Sequence, residues 1–262
     1  MKRVFYLAVA AAVAVASSVR ADTTLVVQGG DGRSTIQVSN GMGRMDTPDN
    51  NYLLYDSKRN LVIHVEPADG GYTELDEAQI TQMAQMANSM RTQLAPHMEA
   101  MKAQLANLPP QQRAMIEQSM GAMMGPQQPA AEAPITVVRK GAGNVAGIAC
   151  QMNELMQDGK HVGQACIATS AGGKLSAADF QTLEAMMGFL RRMASQASSI
   201  MGSMGKQVML LKTDLAGVPL SAQGTGPNEK FEVTSVSNEK LAANLFTDYQ
   251  SLRKKTIPGL GQ

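Results

Sequence analysis

Methionine thioethers, two cysteine thiols and three imidazoles are the side chains of this sequence with chemistry beyond packing. The chain holds 20 Met, two Cys and three His, and no Trp. Thioethers select Cu(I). Met83/Met86, Met98/Met101, Met120/Met123 and Met201/Met204 have one-turn spacing, and His97 shares a helical face with Met101. His97, Met98 and Met101 are the residues of a copper reading. The same methionines suit two other roles. Unbranched, polarizable side chains fill irregular cores, and they re-pack around varied apolar guests. All three readings are open at the level of sequence.

Cys150 and Cys166 are the two cysteines of the chain. Val145 to Met156 and His161 to Thr169 read as strands around Gln157-Asp158-Gly159-Lys160, and Asp-Gly is a strong hairpin signal. Residues paired across a hairpin share one sum of positions. The cysteines sum to 316 and Asp158 and Gly159 to 317, so the thiols are expected opposite each other or one residue off. That is disulfide distance. A redox pair would show C-x-x-C near a helix start, and a zinc site needs more ligands. A structural disulfide is the expectation.

Signatures of catalysis are missing. The sequence has no G-x-S-x-G, no H-E-x-x-H, no P-loop and no dinucleotide fingerprint. His64, His97 and His161 are far apart in sequence. The expectation is a protein that is not an enzyme and carries no cofactor.

The elements that must position these side chains fall into sheet, helix, sheet and helix. Thr24–Gln28, Thr35–Ser39, Gly43–Asp46, Tyr52–Asp56, Leu61–Glu66 and Tyr72–Leu75 are short apolar or β-branched runs separated by Gly, Asn, Asp and Pro clusters. They predict an antiparallel meander. From Asp76 the pattern turns helical. Ile80, Met83, Met86, Ala87, Met90, Leu94, His97, Met98, Met101, Leu105 and Leu108 fall within an arc of roughly 120°. Pro96 is expected to kink this helix and Pro109-Pro110 to end it. A second helix, about 110–124, is expected to fold back, and a Pro/Ala-rich connector spans 125–134. A strand near Ile135–Arg139 then precedes the cysteine hairpin. Another helix, about Ala177–Met204, starts behind Ser176 as N-cap, with Asp179 three residues on. Phe180, Leu183, Met187, Leu190, Ala194, Ala197 and Met201 share its apolar face. Gln207–Thr213, Val218–Leu220 and Phe231–Ser237 read as closing strands, Asn238–Tyr249 as a terminal helix, and Lys254–Gln262 as frayed.

Export is written at the start. Lys2 and Arg3 precede an apolar run from Val4 to Ala16, followed by Ser17-Ser18-Val19-Arg20-Ala21. A basic start, a short apolar stretch and small residues describe a signal peptide over 1–21, too short for a membrane span of roughly 20 apolar residues. The cut falls before Asp22 or after Ser18. Loss of 1–21 removes Lys2, Arg3 and Arg20 and no acid, leaving 20 bases against 22 acids. Such balance gives no reason to expect nucleic acid. The expected product is periplasmic, soluble and not integral to a membrane.

Two stretches carry a resemblance. Arg44-Met45-Asp46, Tyr52-Leu53-Leu54-Tyr55-Asp56-Ser57-Lys58, Leu61-Val62-Ile63-His64-Val65-Glu66-Pro67 and Tyr72 resemble the N-terminal half of proteins with the outer-membrane lipoprotein carrier-like fold. Val145-Ala146-Gly147-Ile148-Ala149-Cys150, Asp158-Gly159 and Gly163-Gln164-Ala165-Cys166-Ile167-Ala168 resemble an uncharacterised family of exported bacterial proteins, as do Gly217-Val218-Pro219-Leu220 and Phe231–Ser237. The resemblance implies a half-barrel sheet covered by helices, used elsewhere to shield lipid chains, and it defines no catalytic residue.

The sequence therefore predicts one α+β domain over 22–262, a curved antiparallel sheet covered by Met-rich amphipathic helices, with a helical insertion at about 76–124. Met83, Met90, Leu94, Met101, Leu183, Met187, Leu190 and Met201 are its expected apolar contacts. Their partner would be a hydrophobic small molecule, an acyl chain or an acylated protein in a half-barrel cavity. The alternatives are an interaction protein whose helices pair with a partner or a second copy, and copper handling.

Overall fold

The computed structural model describes residues 22–30, 32–47, 49–106, 133–201, 213, 215–226 and 230–257. The expected signal peptide, the helix at 110–124, most of the connector and all but Thr213 of the strand at 207–213 lie outside them.

Six strands come first: β1 (Thr23–Gly29), β2 (Gly32–Ser39), β3 (Met42–Asp46), β4 (Tyr52–Asp56), β5 (Leu61–Glu66) and β6 (Gly71–Asp76). Each lies where the punctuated apolar runs place it. Helix α1 (Glu77–Ala106) follows, opened by a capping box in which Asp76 accepts from the Gln79 amide at 2.8 Å while the Gln79 side chain accepts from the Asp76 amide at 3.0 Å. It runs on through Pro96. Then come β7 (Thr136–Val145), β8 (Ile148–Gln157), β9 (Lys160–Ala168), helix α2 (Ala177–Met201), β10 (Val218–Gly224), β11 (Lys230–Ser237) and a two-residue β12 (Arg253–Lys254). Ser176 caps α2 as expected, its hydroxyl accepting from the Asp179 amide at 3.1 Å.

All twelve strands form one sheet, in the order β12-β6-β5-β4-β3-β2-β1-β11-β10-β9-β8-β7. The first meander walks outward from β1 to β6. The second starts at the far edge with β7 and walks back to β11, which pairs antiparallel with β1. Every pairing is antiparallel except β12 with β6. The sheet is curved and unclosed, and β7 curls back towards β11 although three strands separate them. Register shifts at Val26/Val27, Pro219/Ser221, Arg139/Gly141 and Leu155/Met156 mark where the ladder bends.

Several expectations are corrected. The strand expected from Val145 to Met156 starts later, at Ile148, because Val145 ends β7 and Ala146 and Gly147 turn with φ of 52° and 85°. That is the same doubly positive φ found at Asn40-Gly41 and Asp158-Gly159, the signature of a type I′ hairpin turn. The terminal helix expected over Asn238–Tyr249 is instead two 3-10 turns, Ala243–Phe246 and Asp248–Ser251. Part of the tail expected to fray is held: Arg253 and Lys255 donate their amides to Gly70 and Tyr72 at 3.1 and 2.7 Å.

Strands β4 and β5 are apolar on both faces, so both faces are covered. On one face Leu25, Val27, Val38, Tyr55 and Val62 join Phe180, Leu183, Met186 and Phe189 of α2, together with Ile80 of α1. The helix seats closely because Gly43 has no side chain, and a Cβ there would lie 2.9 Å from the Met186 sulfur. On the other face Tyr52, Leu54, Leu61, Ile63 and Val65 pack against Phe246 and Tyr249, flanked by Leu241, Leu245 and Leu252.

Polar contacts fix this C-terminal cover. The Arg44 guanidinium lies 3.6 Å over the Tyr52 ring and donates to Leu245 O, Asp46 and Asp248 at 2.8, 2.9 and 3.2 Å. Tyr52 donates its hydroxyl to Asp248 at 2.7 Å. Burial, and then the Asp248 carboxylate, push that hydroxyl far above an ordinary phenol. Further along, Lys254 and Arg59 both bond Glu74, and Lys255 bonds Glu66 and Asp69. Burial would raise the Glu74 carboxyl, but the bonds from Lys254 and Arg59 outweigh it and hold it below its ordinary 4.5. An acid depressed in the fold stabilises above its ordinary value and loses that contribution as pH falls through the lowered one.

Two outcomes are expected. Phe189→Ala lowers stability by about 3–5 kcal/mol in urea unfolding, whereas Met90→Ala, on the open side of α1, stays within about 0.5 kcal/mol. Amide-exchange protection over 241–255 falls as pH drops below 4.5, and Glu74→Gln weakens the cover at neutral pH while flattening that acid limb.

Candidate functional site

Four of the expected contact residues are on α1 and four on α2, and the structure treats the two groups differently. Met83 and Met86 are half-buried, while Met90 and Leu94 are 64% and 55% exposed. His97 is also exposed. The side chains of Met98, Met101 and Met201 lie outside the described residues. On α2, Leu183 is 1% exposed and belongs to the core, and Leu190 packs against that core half-buried. Met187, also half-buried, borders a small recess with Ile167, Arg191, Thr213, Leu215, Gly217 and Pro219.

The two helices run side by side in the same direction. Glu77 on α1 pairs with Arg192 on α2, and Thr81 meets Gln196 one turn further at 3.5 Å. Ile80, in the first turn of α1, is buried. Beyond it the stripe read from the sequence continues, but its covering does not. The periodicity that marks a face for burial is satisfied at Ile80, half satisfied at Met83 and Met86, and unsatisfied at Met90 and Leu94.

Sequence reasoning missed a second feature. A cleft of about 370 Å³ opens at the start of α2, lined by Asp22, Asn40, Ser57, Lys58, Asp179 and Thr182 among others. Its floor is a hydrogen-bonded network. Ser39 and the Leu241 amide both donate to Asp22 at 2.6 Å, and Thr23 and Ser176 donate to Asp179 at 2.8 and 2.9 Å. Asn238 ties the two sides, reaching Asp22 O and Thr23 Oγ1 at 3.4 Å and Lys174 O at 2.8 Å. Asp22 and Asp179 are 157 positions apart in sequence, and nothing local in either stretch announces that they meet.

Cys150 and Cys166 are joined by a disulfide, with Cα atoms 5.5 Å apart. Their register differs from the expected one. Val162 is an extra residue on β9, so beyond it Cys166 faces Met152 and Cys150 lies two places along on the same side. The thiols are diagonal neighbours, still on one face. Gly143 on β7 gives them room, since a Cβ there would stand 2.7 Å from the Cys166 sulfur.

Among the described residues, no three His, Cys, Asp or Glu side chains are grouped to hold a metal ion, and no helix is long and apolar enough to cross a membrane. No family model matches the chain, and no curated protein is similar enough to count as a match.

The disulfide closes a short loop, with the cysteines 16 positions apart, worth about 3 kcal/mol in the chain-entropy account. Replacing both cysteines by alanine is expected to lower the unfolding free energy by that amount in a denaturant titration, and a loss under about 1 kcal/mol would assign the strength of the hairpin to its ladder alone.

Proposed function

We propose that the protein is an exported, non-catalytic binding protein that takes an apolar partner, such as an acylated protein, against the open face of α1. The observation that carries this reading is the exposure of Met90 and Leu94 on a stripe that begins buried at Ile80 and is half-buried at Met83 and Met86. Unbranched Met beside Leu adapts to guests of varied shape, a property of promiscuous apolar surfaces. The α2 side of the sheet is filled by Leu183, Met186 and Phe189, and the large cleft is lined mainly by polar residues. Contact on the helix surface therefore accounts for the apolar stripe better than a guest within the sheet. The disulfide suits an oxidising compartment, in keeping with the signal-like start, and the periplasm is the compartment proposed.

A palmitoylated peptide tests this. The expected result is saturable binding that Met90→Lys/Leu94→Lys weakens tenfold or more, about 1.4 kcal/mol, with Tm unchanged. No binding by the native protein would sink the reading. A Tm lowered by several degrees in the double variant would return these residues to the core. A lipid-sized mass retained in native mass spectrometry by both proteins would place the guest inside the sheet instead.

A further inference from the structure

Asp22 and Asp179 put two carboxylates on one cleft, each less than a tenth exposed. Hydroxyls and a backbone amide bond both oxygens of Asp22 and Oδ2 of Asp179, yet among the described residues neither has an ion-pair partner. Hydrogen bonds do not cancel charge, and buried carboxylates are ordinarily paired with a cation. The charged groups on the surrounding elements do not fill the role. Lys58, in the turn after β4, is exposed at the mouth of the cleft. Lys174, ahead of α2, gives its ammonium to Val236 O at 3.1 Å. Glu239 and Lys240, beside the Leu241 amide that bonds Asp22, are exposed.

A cation is available from the chain itself. Asp22 is the residue at which a signal-peptide cut after Val19-Arg20-Ala21 would create a new amino terminus. Its carboxylate is already bonded to Ser39 and Leu241, and its carbonyl accepts from Asn238. An ammonium on its nitrogen would stand at the edge of the same network.

We propose that the chain is processed between Ala21 and Asp22, and that the resulting α-ammonium is a structural part of the fold, the counter-charge for Asp22 and Asp179. The step is peptide hydrolysis by a signal peptidase: water supplies the carboxylate oxygen on Ala21, and the freed Asp22 nitrogen takes up protons to become an ammonium. The inference rests on the export reading and is independent of partner binding at α1. It makes the precursor, whose Asp22 nitrogen is a neutral amide, less stable than the mature chain. A cut after Ser18 would carry the ammonium three residues away from the network.

An α-amino group titrates at about 7.7–8.0 when free, and one beside two carboxylates holds its proton to higher pH. Its contribution is complete below the free value and is lost as pH rises through the raised one. The test is to express the full chain with its own leader, then measure intact mass and N-terminal sequence of the exported protein. A start at Asp22 is expected, and a start at Val19 or elsewhere overturns the site. The purified protein is then melted at pH 7 to 10 beside a form with one glycine inserted before Asp22. The native form is expected to lose about 2–4 °C more of Tm across that range, and Asp179→Asn and Asp22→Asn to reduce the difference. Equal pH slopes in the native and glycine-extended proteins overturn the role of the ammonium.

Discussion

Two-sided burial of β4 and β5 is the constraint from which the rest of this structure follows. Tyr52-Leu53-Leu54-Tyr55 and Leu61-Val62-Ile63 send large apolar side chains to both faces of the sheet. Antiparallel sheets often leave one face to water, and here neither can be left open. Helix α2 covers one face through Leu183, Met186 and Phe189. The other is covered by a segment with two buried anchors, Phe246 and Tyr249. So short a cover buries little by itself, which explains why it is fastened by Arg44, Lys254 and Lys255 to carboxylates and carbonyls at its rim.

Fastening by charge has a consequence for how the two faces differ. The α2 side is held mainly by apolar contact, which is indifferent to pH. The C-terminal side combines fewer apolar contacts with ion pairs, whose exposed members are screened by salt and individually weak. Sub-global opening begins where buried apolar contacts are few, so the C-terminal cover is the weaker of the two. Its hydrogen bond from the Leu241 amide to Asp22 also ties it to the first strand, so the beginning and end of the described fold are secured at one place.

How much of this was legible in the sequence depends on the range of the interaction. The first six strands were readable because Asn40-Gly41, Asn50 and Asn60 supply turns with positive φ between apolar runs. Asp158-Gly159 announced its hairpin for the same reason. Ala146-Gly147 makes an equivalent turn without the Asn or Asp that advertises one, and so hid between apolar neighbours. The disulfide pairing was readable from hairpin symmetry, but its register was not, since the bulge at Val162 is a tertiary adjustment with no local signature. The meeting of Asp22 with Asp179, and of Asp248 with Arg44, lies beyond any sequence pattern. Those contacts depend on the order in which the two meanders join at β1 and β11.

The methionine stripe shows the limit of periodicity most clearly. From Ile80 to Leu94 the helical wheel describes one face, and all of it asks to be buried. The fold buries only the first turn, where α1 still lies against the sheet and α2. Further along, the same pattern meets no described partner at Met90 and Leu94. Periodicity states which side of a helix avoids water, but the supply of a cover is a property of length and topology. A helix of 30 residues is about 45 Å long, longer than a sheet of strands with ten residues or fewer can cover along its strand direction, at about 3.4 Å each. An apolar stripe that outruns the cover given by the described residues is the feature on which the proposed binding role rests.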